Sequence, residues 1–338
     1  MAEPMRLDFA PMEGITGRDL RELHAACFPG VDRYWLPFLS PASSHRLTPR
    51  QMRDLAPGTL GCVRLVPQVL TKDPEDFLWA AEAIGALGYR ELNLNLGCPS
   101  GTVVSKGKGA GLLRDPEALD RFLDAVFSRA PISVSVKTRI GLEDPTEWKA
   151  LLPVLARYPI RELTVHPRTR RELYQGGVHL DSFAQAAAVL PFPLCYNGNL
   201  FTPRDVQALQ AAFPGLRAAM LGRGQLADPA LITRCKGGAR SREALLRFHE
   251  ALAERYLAEM HPDGAVLPKF KELWMYLALL LPEERDWKRL RKCSRWSEFH
   301  PLALDLLRNS ALLEEADFSR LGQQGPGFSQ LQGTMSSL

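Results

Sequence analysis

Apolar and polar positions alternate along this chain in eight short runs, spaced about 30 residues apart. The runs begin near Leu7, Tyr34, Cys62, Glu91, Ile132, Glu162, Pro193 and Ala218, and nearly all close in a polar or glycine-rich cluster. Stretches of helical periodicity separate most of them. Parallel strands need a crossover, usually a helix, so eight alternations of strand and helix predict a (β/α)8 TIM barrel. Such a barrel carries its chemistry at the carboxyl ends of its strands. Those ends read Pro11-Met12-Glu13, Pro37-Phe38, Gln68, Asn95-Leu96-Gly97-Cys98, Lys137-Thr138-Arg139, His166-Pro167-Arg168, Asn197-Gly198-Asn199 and Gly222-Arg223-Gly224.

Helix starts support the strand assignment. Asp73-Pro74, Asp115-Pro116, Asp144-Pro145, Thr202-Pro203 and Asp228-Pro229 each pair an N-cap residue with proline at the first helical position. A helix from Pro74 puts Phe77, Leu78, Ala81 and Ile84 on one face and stops at Gly88. In the run from Glu91, Leu92, Leu94 and Leu96 alternate with asparagines, which predicts that Asn93 and Asn95 point into the barrel or its mouth. Past Gly238 strand signals vanish, and Leu245, Phe248, Leu252 and Tyr256 follow a helical period. The expected division is a barrel over 1–238, an all-helical C-terminal domain over 239–320, and a disordered tail over 321–338, rich in Gly, Gln and Ser.

Bulk properties narrow the field. A hydrophobic content of 46% in 338 residues allows a large core, and a net charge of +4 is too small alone to imply nucleic acid. The six cysteines form no C-x-x-C pair, and no second histidine or carboxylate stands at metal-ligand spacing from His166, so neither a disulfide scaffold nor a metal is expected. No run is long enough to cross a bilayer and no signal core opens the chain. The expectation is a soluble cytoplasmic protein with reduced thiols, acting as a monomer away from membranes.

The strand ends then carry candidate chemistry. Loops after strands seven and eight of such barrels commonly bind phosphate, and Asn197, Gly198, Asn199, Gly222 and Arg223 supply glycines for close approach and an arginine for charge. Lys137 can hold the electron-rich edge of a flavin, form a Schiff base, or pair with Glu13. His166 closes strand six and is read as a cofactor contact. Cys98, between a glycine and a proline and ahead of a glycine-rich loop, is a candidate proton donor or nucleophile. Between Trp287 and Trp296 lie five basic residues and no acid, and a helix there would present Lys288, Arg291, Lys292 and Arg295 on one face. Arg46, Arg50 and Arg53, with Arg168, Arg170 and Arg171 beside Tyr174, add charge near the mouth. Together these favour an anionic polymer as substrate.

The set resembles the tRNA-dihydrouridine synthase family. The matching motifs are Ala10-Pro11-Met12-Glu13-Gly14-Ile15-Thr16, Gln68, Leu94 to Ser100, Val136 to Arg139, Val165 to Thr169, Asn197 to Asn199 and Leu221 to Gly224. Pro167 and Thr138 depart from the family pattern without removing a reactive group. The resemblance implies FMN as cofactor, NADPH or NADH as transient reductant, and reduction of a D-loop uridine of tRNA to 5,6-dihydrouridine. It implies that Pro11, Met12 and Glu13 line the flavin and that Gln68, Lys137 and His166 hold its rings. Asn197, Gly198, Asn199, Gly222 and Arg223 would hold its phosphate. Cys98 would be the proton donor, Asn95 and Tyr174 would hold the uridine, and the helical domain with Lys288, Arg291, Lys292 and Arg295 would grip the RNA. The main alternative is an FMN-dependent barrel oxidoreductase acting on a free pyrimidine or another small molecule. An RNA-binding protein with an inactive barrel and a Schiff-base aldolase using Lys137 are two others.

Overall fold

The staves of the barrel are β1 (Arg6–Phe9), β2 (Arg33–Trp35), β3 (Arg64–Val66 with Gln68–Val69), β4 (Glu91–Leu96), β5 (Ser133–Arg139), β6 (Leu163–His166), β7 (Leu194–Asn197) and β8 (Ala218–Leu221). The computed structural model describes residues 4–56, 64–322, 325 and 327–331. Cys62, where the third run begins, lies outside them. All neighbouring strands run parallel, and β1 pairs with both β2 and β8. β3 is split at Pro67, which has no N–H to give a ladder. Its first piece pairs with β2 and its second with β4, and this closes the sheet. The expected (β/α)8 barrel is therefore the observed one, with one interrupted stave.

The period-two pattern sorts side chains as predicted. Leu92, Leu94 and Leu96 join the core that holds Phe77, Ala81 and Ile84 of the Pro74–Ala86 helix. Each such fully buried side chain contributes about 1.5–3 kcal/mol. Strand residues of the opposite parity face inward, where Trp35, Val66, Cys195, Ala218 and Met220 form a smaller cluster with Ala10. The expected caps at Asp73, Asp115 and Thr202 accept backbone N–H bonds, an interaction worth about 1 kcal/mol each. Asp144 caps a short 3-10 turn, Pro145–Glu147, before the Trp148–Ala156 helix.

Beyond β8 every element among the described residues is helical, including Arg242–Glu259, Leu267–Leu277, Glu284–Lys292 and Trp296–Asn309. This part shares one apolar core with the barrel. Phe248 packs edge-on to His24 of the Arg18–Cys27 helix and to Phe28 just past its end, and Arg255 pairs with Glu22 at 2.7 Å.

Two expectations need correction. The basic helix ends at Lys292, Cys293 turns away in an extended conformation, and Arg295 precedes the next helix. Tertiary anchoring overrides the local helical pattern here. Trp296 donates its backbone N–H to Asp263 at 2.6 Å and buries its ring against Phe270 and His300. The second correction concerns the tail. Where it is described it is folded: Phe328–Leu331 forms a helical turn, and Phe328 is fully buried against Tyr196.

Among the described residues, no helix is long and apolar enough to cross a membrane. Asp8, Glu162 and Cys195 bring ligand atoms within 4.8 Å of one another in the amino-terminal half of the barrel. Both carboxylates are already engaged by Arg6, at 2.9 and 2.6 Å.

Candidate active site

A cavity of about 580 Å³ opens at the carboxyl ends of the strands. Pro11, Met12, Glu13, Gln68, Lys137, His166, Asn197, Gly198, Asn199, Gly222 and Arg223 all line it, as do Cys98, Asn95 and Tyr174. Sheet register explains the convergence. Gln68 stands beside Asn93, Asn95 beside Lys137, and Arg139 beside His166. Lys288, Arg291, Lys292 and Arg295 are exposed and do not line this cavity.

A buried polar ladder crosses the floor. Asn95 donates through Nδ2 to Gln68 Oε1 at 2.8 Å, Gln68 donates to Asn93 Oδ1 at 2.8 Å, and Asn93 donates to Ser135 Oγ at 3.0 Å. The Oδ1 of Asn95 also accepts the backbone N–H groups of Gly97 and Cys98, at 3.0 and 2.8 Å. Its amide is thus engaged at both ends, and its observed task is to hold the Cys98 loop. Satisfied networks of this kind rigidify what they touch.

The Cys98 thiol is half-buried. Burial is the largest influence and raises its pKa, the Ser100 backbone lowers it, and the nearby Glu13 raises it further. The thiol is therefore protonated at neutral pH. Its loop is fixed by Ala110, whose N–H donates to the Cys98 carbonyl at 3.2 Å, and by Arg170, which donates to the Pro99 carbonyl at 3.2 Å. Gly109 adopts φ +58°, and any side chain there would press on Cys98 Cβ at 3.0 Å.

Cations ring the rest of the cavity. Lys137 is half-buried and makes no ion pair among the described residues, so the expected alternative of a Glu13 partner is not realised. Burial, then Arg139, pushes its ammonium down to about 8. His166 is held well below its ordinary pKa by burial and by Arg139, Arg168, Lys137 and Arg223, so its ring is neutral. Arg168 Nη1 lies 3.1 Å from His166 Nε2. Arg223 donates through Nη2 to Asn199 Oδ1 at 2.9 Å, while its buried Nη1 has no partner. The Tyr174 ring lies under this guanidinium, 4.4 Å away, and 6.1 Å from the His166 ring.

The glycines of this corner bring bare backbone to the cavity wall where neighbouring side chains leave little room for a Cβ. A Cβ on Gly198 would meet Val178 at 3.0 Å, and one on Gly222 would meet Met12 Sδ at 3.3 Å. An unsatisfied guanidinium N–H beside two such glycines fits a phosphate group.

Some lining residues were not foreseen. Arg139 donates to the carbonyls of Thr169 at 2.7 Å, Leu173 at 2.8 Å and Gly97 at 3.2 Å, tying the Cys98 and Tyr174 loops together. Its place at a strand end was a legible signal. Glu272 and Tyr276 reach the cavity from the Leu267–Leu277 helix, and no local pattern marks them.

Fold and site define a (β/α)8 barrel with a cation-ringed ligand cavity at its catalytic end. The chain belongs to the dihydrouridine synthase family, whose model matches residues 8–311. It is 32% identical over 335 residues to the tRNA-dihydrouridine(16) synthase of Ralstonia nicotianae, covering 94% of this chain and 98% of that one. The tRNA-dihydrouridine(16) synthase of Cupriavidus necator is 32% identical over 238 residues, 69% of this chain and 74% of its own. The tRNA-dihydrouridine synthase B of Vibrio cholerae is 30% identical over 215 residues, 63% and 66% of the two chains. Among solved structures, morphinone reductase superposes with a TM-score of 0.51 at 16% identity, over 70% of this chain and 86% of that one, a likeness of fold alone.

Proposed function

We propose that this chain is a flavin-dependent oxidoreductase that reduces the C5=C6 bond of a D-loop uridine in tRNA. Two relatives carry position 16 in their names, and uridine 16 is the proposed target. The observation that carries the reading is that the half-buried Cys98 thiol lines the same cavity as the unneutralised cations Lys137, Arg139 and Arg223. FMN fits the corner by the orphan Nη1 of Arg223 and the bare backbone of Gly198 and Gly222. Asn197 and Asn199 would complete that corner, Pro11, Met12 and Glu13 would line the ring system, and Gln68, Lys137 and His166 would hold its polar edge.

FMN held there would supply hydride chemistry toward C6 of the base, with NAD(P)H as its source of electrons. The protein's own task is the proton. Cys98 gives its S–H proton to C5 and becomes a thiolate, so one hydride and one proton saturate the double bond. A raised thiol pKa keeps that proton in place until substrate arrives. Lys137 provides positive charge, and His166, being neutral, can donate a single N–H. The uridine leaves its stack to enter, at a cost of a few kcal/mol. Asn95 would shape the pocket for the base through the Cys98 loop it holds, and Tyr174 through its ring beside His166. Lys288, Arg291, Lys292 and Arg295 attract the RNA backbone.

Mapping dihydrouridine in tRNA from cells with and without this protein tests the proposal. The expected result is loss of the modification at one position of the D-loop. An unchanged map, with a purified protein that takes up no FMN, would defeat it.

A further inference from the structure

The C-terminal segment does more than end the chain. From the helical region the chain returns to the barrel, where Phe318 stacks on Phe201 at 3.7 Å. It then crosses two mouth loops. The Gly325 carbonyl accepts from Asn199 Nδ2 at 3.1 Å, and the Phe328 N–H donates to the Asn199 carbonyl at 3.1 Å. Asn199 itself sits at φ +45°, in the left-handed region that asparagine tolerates better than most residues. Its Oδ1 is the group that holds Arg223. Ser329 donates twice to Asp205 Oδ1, at 2.8 and 2.7 Å, while Asp205 Oδ2 accepts the Phe201 and Thr202 N–H groups at 2.9 and 3.0 Å. The same segment therefore grips the loop after β7 at both ends.

Two glycines make this crossing possible. A Cβ on Gly325 would overlap the Gly176 carbonyl, in the loop that carries Tyr174, and one on Gly327 would meet the Asp205 carboxylate at 2.8 Å. Phe328 anchors the crossing, fully buried and edge-on to Tyr196 at 5.4 Å.

We propose that Gly325, Gly327, Phe328 and Ser329 form a strap that aims Arg223 at the cofactor phosphate, with Phe328 a positioning residue that acts through Asn199. This inference rests on the flavin reading above. It extends that reading to a segment outside the barrel and gives the strap a ligand-specific consequence. FMN carries a phosphate and riboflavin does not. Loosening the strap should then weaken the first and spare the second.

The test is a flavin titration of full-length apoprotein, wild type against Phe328→Ala and Gly325→Ala, with FMN and with riboflavin. Expected is a fall in FMN affinity of about tenfold, with riboflavin affinity unchanged. Phe328→Leu, which keeps an apolar plug, should recover most of the loss. Circular dichroism melts of the apoproteins check that the barrel is intact, and the two variants perturb the strap by different routes. Equal losses for FMN and riboflavin, or no loss for either, would overturn the strap. A wild-type protein that binds neither flavin would instead remove the flavin reading, and the strap's role with it.

Discussion

The two ends of this barrel both carry arginines, and they treat them in opposite ways. At the amino-terminal end each has a carboxylate. Arg6 meets Asp8 and Glu162 at 2.9 and 2.6 Å, Arg33 lies 3.5 Å from Glu162, and Arg64 and Arg161 meet Glu91 at 2.9 and 3.1 Å. At the mouth, Lys137, Arg139, Arg168 and Arg223 have no carboxylate within ion-pair distance among the described residues. Arg139, Arg168 and Arg223 bond instead to backbone carbonyls, His166 and Asn199, while Lys137 has no bonded partner. Burial lowers Arg139 and Arg223 to about 10. Buried charges are tolerated structurally when neutralised in place. Charges left with neutral partners only are stabilised further by an incoming anion. The comparison separates cations that hold the fold from cations that hold a ligand.

Substitutions can break or sharpen this contrast. The largest effect belongs to Cys98→Ala, which should slow single-turnover reduction of tRNA by about 100-fold or more while flavin binding stays. Full turnover in this variant would move the acid elsewhere. At the opposite end, Glu162→Ala leaves Arg6 and Arg33 underpaired and should destabilise the protein by about 3 kcal/mol in urea unfolding. Arg223→Ala should do the reverse, lowering FMN affinity about 10- to 100-fold with little change in unfolding free energy. Should Arg223→Ala unfold the protein as Glu162→Ala does, the division between the two ends fails.

A pH titration probes Lys137. Its folded-state pKa of about 8 lies below the ordinary value, so the free protein loses this positive charge as pH rises through 8. An interaction that needs the ammonium weakens in that direction, by up to about tenfold per pH unit. Flavin affinity should fall above pH 8 in the wild type and stay flat in Lys137→Met. The smallest effect is expected from Arg291→Gln, Lys292→Gln and Arg295→Gln combined. Their side chains are exposed and make no ion pair among the described residues, whereas Lys288 already pairs with Glu284 at 3.0 Å. The triple variant should weaken tRNA binding and reduce its salt slope by about 2 to 3.

Much of the site was legible because a strand has only two faces and ends at a turn. That geometry carried Gln68, Lys137 and His166 to the mouth from pattern alone. Other features depend on contacts between distant segments and left no local trace. Tyr276 and Glu272 arrive by packing of the helical part. Arg295 leaves its expected face because the burial of Trp296 ends one helix and begins another. Composition suggested disorder around Phe328, yet the same glycines that suggest a loose tail are what allow it to cross two loops closely. Asn95 was placed correctly, but its hydrogen-bond partners came from β3 and its own loop, which periodicity cannot supply.

Pro67 makes one stave of the barrel unlike the other seven. The hoop of main-chain bonds is thinnest along this line, where β2 hands over to β4 through two short pieces. Gln68 sits immediately past the break, and its side-chain bonds to Asn93 and Asn95 tie this stave to β4 where the ladder is shortest.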